Sequence, residues 1–206
     1  MCASPGPTPR RFACWLFALL ASAAAAAEPE IEVRRDAGAF VVRSEVELEA
    51  DRGTAWRTIT DYERLPQFVP GIRSARVLAR VASGGSERLL IEQAGEFRYL
   101  WFAQPVRVWL DVTHHPPERV LARSVLPSGV GADSSTLRQF EGSYLLTPAG
   151  AMRTRFVYEA RFEPAQPMLP VLGTMAVRKT VIEQFRAMAN EIERRAALGR
   201  SEQAAR

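Results

Sequence analysis

AWRTITDYERLPQFVPG, residues 55–71, carries the first clear change of periodicity in this chain. Ala55, Trp56 and Ile59 recur at short helical spacing, and Asp51 stands just ahead of them, where a carboxylate can accept from the free amides of a helix start. Pro66 and Pro70 then bracket Leu65, Phe68 and Val69. Proline lacks the amide a helix needs and clashes with the turn before it, so this window holds only one more short helix. Two small helices are predicted, and on both sides of them the pattern is that of strands.

Upstream, Phe40, Val42, Ser44, Val46 and Leu48 alternate with Val41, Arg43, Glu45 and Glu47, the period-two signature of a half-buried strand. Residues 28–39 before it read as a polar lead-in. Downstream, strands are expected over 72–82 and 87–101, joined by Ser83-Gly84-Gly85-Ser86, whose glycines supply the positive φ of a tight hairpin. Four more are expected over 106–113, 119–126, 136–146 and 151–162, separated by proline- and glycine-containing breaks. In the last of these, Met152, Thr154, Phe156, Tyr158, Ala160 and Phe162 share one face. Arg153, Arg155, Glu159 and Arg161 dominate the other, as in an antiparallel sheet with one wet side. After Pro164, Pro167 and Pro170, the residues Met175, Ile182, Phe185, Met188, Ala189, Ile192 and Ala196 recur at three- and four-residue steps. They predict one long amphipathic helix ending near Leu198. The class is α+β, with seven strands, two short helices after the first strand and a long terminal helix. The domain spans residues 28–199, and residues 200–206 form a flexible tail.

The first 27 residues stand apart. Arg10 and Arg11 precede the apolar run 12–21, and small residues fill 22–27, the layout of a secretory signal peptide cleaved near Ala27. The apolar run is too short for the ~20 residues that span a bilayer, so export to a periplasmic space is expected in place of anchoring. Cleavage would remove Cys2 and Cys14, the only two cysteines, and with them any thiol nucleophile, disulfide or Cys-ligated metal. The formal charge of +4 loses two arginines in the same step. Lys179 is the single lysine, and no basic run is interleaved with aromatics, which argues against a nucleic-acid partner. With 47% hydrophobic and 24% charged residues, the remainder has the balance of a globular domain with a real core.

The element order resembles that of the START-like SRPBCC superfamily, in particular its branch of polyketide cyclase/dehydrase and coenzyme-Q-binding START proteins. The resemblance rests on the D-Y-x-x-L-P-x-F-V-P segment of Asp61–Pro70 after a first strand, on the strand beginning at Ile72, and on the proline-preceded terminal helix. It covers about residues 33–195. It implies a helix-grip fold: a curved seven-stranded antiparallel sheet wrapped around the terminal helix, with an apolar cavity between them. The implied function is binding or carriage of a hydrophobic small molecule such as an isoprenoid quinone, a lipid or a polyketide-like aromatic, with transient contact at a membrane surface. A cyclase/dehydrase-type enzyme using the same cavity is the alternative. A protein-interaction module is the third reading, since one branch includes ribosome-associated toxins, but predicted export keeps a ribosome out of reach.

Candidate cavity residues are Trp56, Leu65 and Phe68 from the short helices, Phe97, Tyr99, Trp109 and Tyr158 from strands, and Met175, Ile182 and Phe185 from the long helix. Arg178 lies near the predicted inward stripe, where a guanidinium could bind a quinone carbonyl, a carboxylate or a lipid phosphate. No catalytic set is evident. His114 and His115 are adjacent in a predicted loop and lack the spacing of a metal site. Ser134 and Ser135 lack a nucleophile elbow and read as part of a strand connection at the cavity mouth. Asp61 and Glu63 read as a helix cap and a solvated turn residue. Neither a metal nor a cofactor is therefore expected.

Overall fold

The computed structural model describes residues 28–99, 102–131, 134–166 and 170–205. Its first strand lies where only a lead-in was expected: β1 (Glu30–Asp36) pairs antiparallel with β2 (Ala39–Leu48) through a two-residue turn at Ala37-Gly38. Both turn residues have positive φ, 47° and 92°, the twist that a tight hairpin needs. Among the described residues the sheet therefore has eight strands, not seven. Ile31 and Val33 are the only apolar residues of β1, and both are half-buried where the terminal helix crosses the sheet edge. Two apolar residues among charges gave too weak an alternation to stand out.

After β2 come α1 (Arg52–Ile59), a single 3-10 turn (Tyr62–Arg64) and α2 (Leu65–Phe68). Asp51 caps α1 as expected, accepting from the Thr54 amide at 2.9 Å. The remaining strands are β3 (Ile72–Ser83), β4 (Ser86–Tyr99), β5 (Phe102–His115), β6 (Arg119–Ser124), β7 (Leu137–Gly150) and β8 (Arg153–Pro164). Helix α3 (Pro170–Ala204) closes the fold. The sheet order is β1-β2-β8-β7-β6-β5-β4-β3, antiparallel throughout, and bulges in β3 and β7 help it curve. Helix α3 continues through residues 200–204, expected as tail. There Arg200 donates to the Glu49 carbonyl at 3.1 Å.

The C-terminal half of α3 is anchored in the main core. Phe185 stacks on Phe156 with ring centroids 4.9 Å apart, and Ile192 has no exposure at all. Arg195 donates to Asp61 at 2.9 Å and to Glu191 at 2.7 Å, and its guanidinium lies 5.5 Å from the Phe68 ring centroid. Asp61 thus clips the terminal helix to the short helices; it makes no capping hydrogen bond. At the opposite end of the sheet, β3 begins hard against β4. A Cβ at Gly95 would sit 2.0 Å from the Gly71 carbonyl oxygen, so only glycine lets the two backbones meet and the Glu96 amide donate to that oxygen at 2.8 Å.

Candidate ligand cavity

Strand register sorts the inner face of the sheet into rows. One row is small at its centre: Val42, Ala160, Gly142, Ala122, Val112 and Leu89 lie side by side across β2, β8, β7, β6, β5 and β4. On one side of it Phe40, Phe162 and Phe140 form an aromatic row. On the other, Ser44, Tyr158, Tyr144, Val120, His114 and Glu87 form a row that is mostly polar. Methyls and a glycine between two rows of large side chains leave space that the helix above does not fill. The result is a cavity of about 330 Å³, within the ~300–1,000 Å³ usual for small-molecule sites.

Its walls are apolar at depth and polar toward one end. Ile59, Tyr62, Leu65, Val112, Val120 and Met188 line the deep end and are all buried. Gly71, Glu96, Gln104, Thr136 and Gln184 line the other end and retain exposure, which marks it as the mouth. Glu96 is the only formally charged lining residue among those described. A hydrogen bond from Arg98, helped by the charge of Arg73, keeps its carboxyl below the usual range.

Two arrangements give the deep end its chemistry. Tyr144 and Tyr158 lie on adjacent strands with ring centroids 5.0 Å apart. Burial pushes the Tyr144 phenol up to about 12, and burial followed by the nearby Tyr144 pushes Tyr158 higher still, so both remain O–H donors at neutral pH. The second arrangement is a relay. The Tyr62 hydroxyl lies 2.7 Å from His114 Nε2, while His114 Nδ1 lies 3.0 Å from Glu87, which Arg80 also pairs at 2.9 Å. Desolvation lowers the His114 pKa, against the opposing pull of Glu87. Neutral His114 then donates from Nδ1 to the Glu87 carboxylate and accepts the Tyr62 proton at Nε2. Here the expectation of a loop is corrected: β5 runs on through His115, and strand alternation turns His114 inward and His115 outward. Sequence reading missed the relay because its members come from a 3-10 turn and two strands, far apart in the chain.

Of the expected cavity residues, Leu65, Phe97, Tyr158 and Phe185 line the space. Tyr99 ends β4, and its side chain lies outside what the structure describes. The others are placed elsewhere. Trp109 falls between the inward Val108 and Leu110, so strand alternation puts it on the outer face, where it is nonetheless only 6% exposed. Trp56 packs edge-on against His114 at 5.4 Å, and Phe68 sits beneath Arg195. In the first half of the helix the stripe is rotated from the expected one, whereas Phe185, Met188, Ala189, Ile192 and Ala196 are buried as expected. Ala176, Val177, Thr180, Val181, Gln184, Phe185 and Met188 face the sheet, so Met175 is 54% exposed, Arg178 is exposed and Ile182 is half-buried outside the cavity. Ala176 and Val177, absent from the expected stripe, are buried against the sheet in its place. Arg178 therefore does not line the cavity.

A curved antiparallel sheet gripping one long helix around an apolar cavity defines a helix-grip protein. Residues 48–189 match the family described as polyketide cyclase / dehydrase and lipid transport, and the chain belongs to that family. Solved structures repeat the fold. A START superfamily protein from Mycobacterium smegmatis matches with a TM-score of 0.60 at 19% identity, covering 75% of this chain and 97% of that one. A STAR-related lipid transfer protein from Xanthomonas axonopodis gives 0.58 at 16% identity, covering 79% and 98%. The Zhui aromatase/cyclase from Streptomyces sp. R1128 gives 0.56 at 14% identity, covering 76% and 95%. At these identities the likeness is one of fold. A search of curated proteins found no match.

Proposed function

We propose that this chain is an exported carrier for a neutral hydrophobic small molecule, of the size of an isoprenoid quinone ring, a lipid tail or a polyketide-like aromatic. The observation that carries the reading is the apolar cavity between α3 and the sheet, whose single charged lining residue among those described stands at the mouth. An apolar ligand gains from leaving water there, while the phenols and glutamines offer a few oriented hydrogen bonds. Export is supported by the basic, apolar and small-residue order of residues 1–27, which lie outside the described residues. Leu172 and Met175 stand exposed at the start of α3 beside Arg178 and Lys179, a mixture suited to brief contact with an anionic membrane surface during loading.

A cyclase/dehydrase-type enzyme is the second reading, favoured by the Tyr62–His114–Glu87 relay behind the cavity wall, because a tyrosine backed by a histidine can handle a proton. Native mass spectrometry of the protein purified from its own host separates the two. A co-purifying apolar molecule recovered unchanged after incubation is the expected result, and chemical conversion of that molecule would transfer the function to the enzyme reading. N-terminal sequencing of the exported form should begin at Glu28; a chain still starting at Met1 would remove the export claim.

A further inference from the structure

We propose that the cavity takes a ligand bearing a ring ketone, oxygen end first, with the carbonyl held by the paired hydroxyls of Tyr144 and Tyr158. The inference rests on the reading of the cavity as a small-molecule site and specifies what that site recognises.

Three observations carry it. First, one register row of the inner face is rich in polar side chains, that of Ser44, Tyr158, Tyr144, His114 and Glu87, and it lies away from the polar residues of the mouth. Within that row Tyr144 and Tyr158 are direct cross-strand partners with ring centroids 5.0 Å apart and rings tilted by 35°, so both phenols belong to one stretch of the cavity wall. Second, those two hydroxyls have no hydrogen-bond partner among the described residues, yet they are not sealed into the core. Ser44 Oγ is the one buried side-chain polar atom there that lacks both a partner and space. Both tyrosines line the cavity, and their remaining exposure opens into it. Two desolvated donors facing an apolar space need an acceptor, and a carbonyl oxygen with two lone pairs can satisfy both at once. By contrast, the Tyr62 hydroxyl already has His114.

Third, no cation lines the cavity among the described residues, and Glu96 at the mouth is an anion. A carboxylate or phosphate pushed to the deep end would lose its water and meet no countercharge. The recognised group is therefore polar but neutral. A carbonyl fits, whereas a fatty-acid or phospholipid head would have to remain outside.

Three probes of one shape test this with the full chain: 2,3-dimethylnaphthalene, 2,3-dimethyl-1,4-naphthoquinone and 2-naphthoate, each titrated calorimetrically. The quinone is expected to bind at least about tenfold tighter than the hydrocarbon, the return on one or two net hydrogen bonds, and the carboxylate more weakly than either. The double variant Tyr144→Phe/Tyr158→Phe should erase the quinone's advantage while leaving hydrocarbon affinity within about twofold. Independently of any variant, the infrared carbonyl band of the bound quinone should move to lower wavenumber than in hydrocarbon solvent. Equal binding of quinone and hydrocarbon by the parent, an unshifted carbonyl band, tighter binding of the carboxylate, or a quinone advantage that survives the double substitution would overturn the proposal. If none of the three probes binds, the cavity reading itself fails.

Discussion

The two halves of α3 face different surroundings. From Phe185 to Ala196 the inward residues are buried in the main core, and the Arg195 clip ties this half to the short helices. From Leu172 to Gln184 the helix roofs a cavity. Thr180, Val181 and Gln184 face the space half-buried, and Leu172 and Met175 point to solvent. One half holds the domain together and the other covers the cavity. Local opening should therefore concentrate in the roof, where fewer apolar contacts oppose it.

The largest test of that contrast is Phe185→Ala, which removes the ring stacked on Phe156 at the boundary between the halves. It should cost about 3–5 kcal/mol in a denaturant titration. The matching truncation in the roof, Val181→Ala, should cost less than about 1 kcal/mol, and equal costs would erase the distinction between the halves.

Next in size is the relay at the deep end. Tyr62→Phe keeps the ring and removes the proton given to His114 Nε2. Leaving that buried nitrogen unpaired should cost about 1–3 kcal/mol at neutral pH, read from the shift in chemical denaturation midpoint. A neutral outcome would mean that solvent reaches His114 and that the deep end is open.

The acid limb tests the anchor through Glu191. Hydrogen bonds from Arg194, and then from Arg195, hold the Glu191 carboxyl at about 2, against an ordinary value of 4.5. A depressed carboxylate stabilises the fold fully above its unfolded value and loses that contribution as the pH falls through the folded one. Stability should therefore decline between about pH 4.5 and pH 2. Glu191→Gln should make that limb shallower by its share, since Asp36, Asp51, Glu96 and Asp111 are also held below the usual range, and thermal melts across the window will show whether it does.

The smallest effect on stability is expected in the row of small residues. Ala122→Leu places extra volume in the cavity, so folding should change by less than about 1 kcal/mol while apolar probes lose affinity. A strongly destabilised variant would show instead that the space cannot accept a side chain.

Much of the architecture was legible because backbone chemistry writes it locally. Proline spacing at Pro66 and Pro70 limited the second helix, Asp51 announced the first, and alternation from Arg153 to Phe162 announced the last strand. β1 escaped because its edge position asks for only two apolar residues, and a turn starting at Ala37 carries no glycine-glycine or asparagine-glycine signal. Among the cavity residues, Leu65, Phe97, Tyr158 and Phe185 could be picked by size and face. Trp109 could not be excluded by size, only by parity with its inward neighbours Val108 and Leu110.

By itself the sequence determined the order of all the main elements but β1 and the apolar face of the best-alternating strands, since periodicity and turn chemistry act over a few residues. Which rotation of α3 meets the sheet, which small residues fall into one row, and which tyrosines end up beside one another depended on strand register and helix approach. Those are long-range contacts between segments as distant as Tyr62 and His114, or Ser44 and Tyr158. No local pattern encodes them, because each is fixed only when separate elements pack against one another and their side chains must share the same volume.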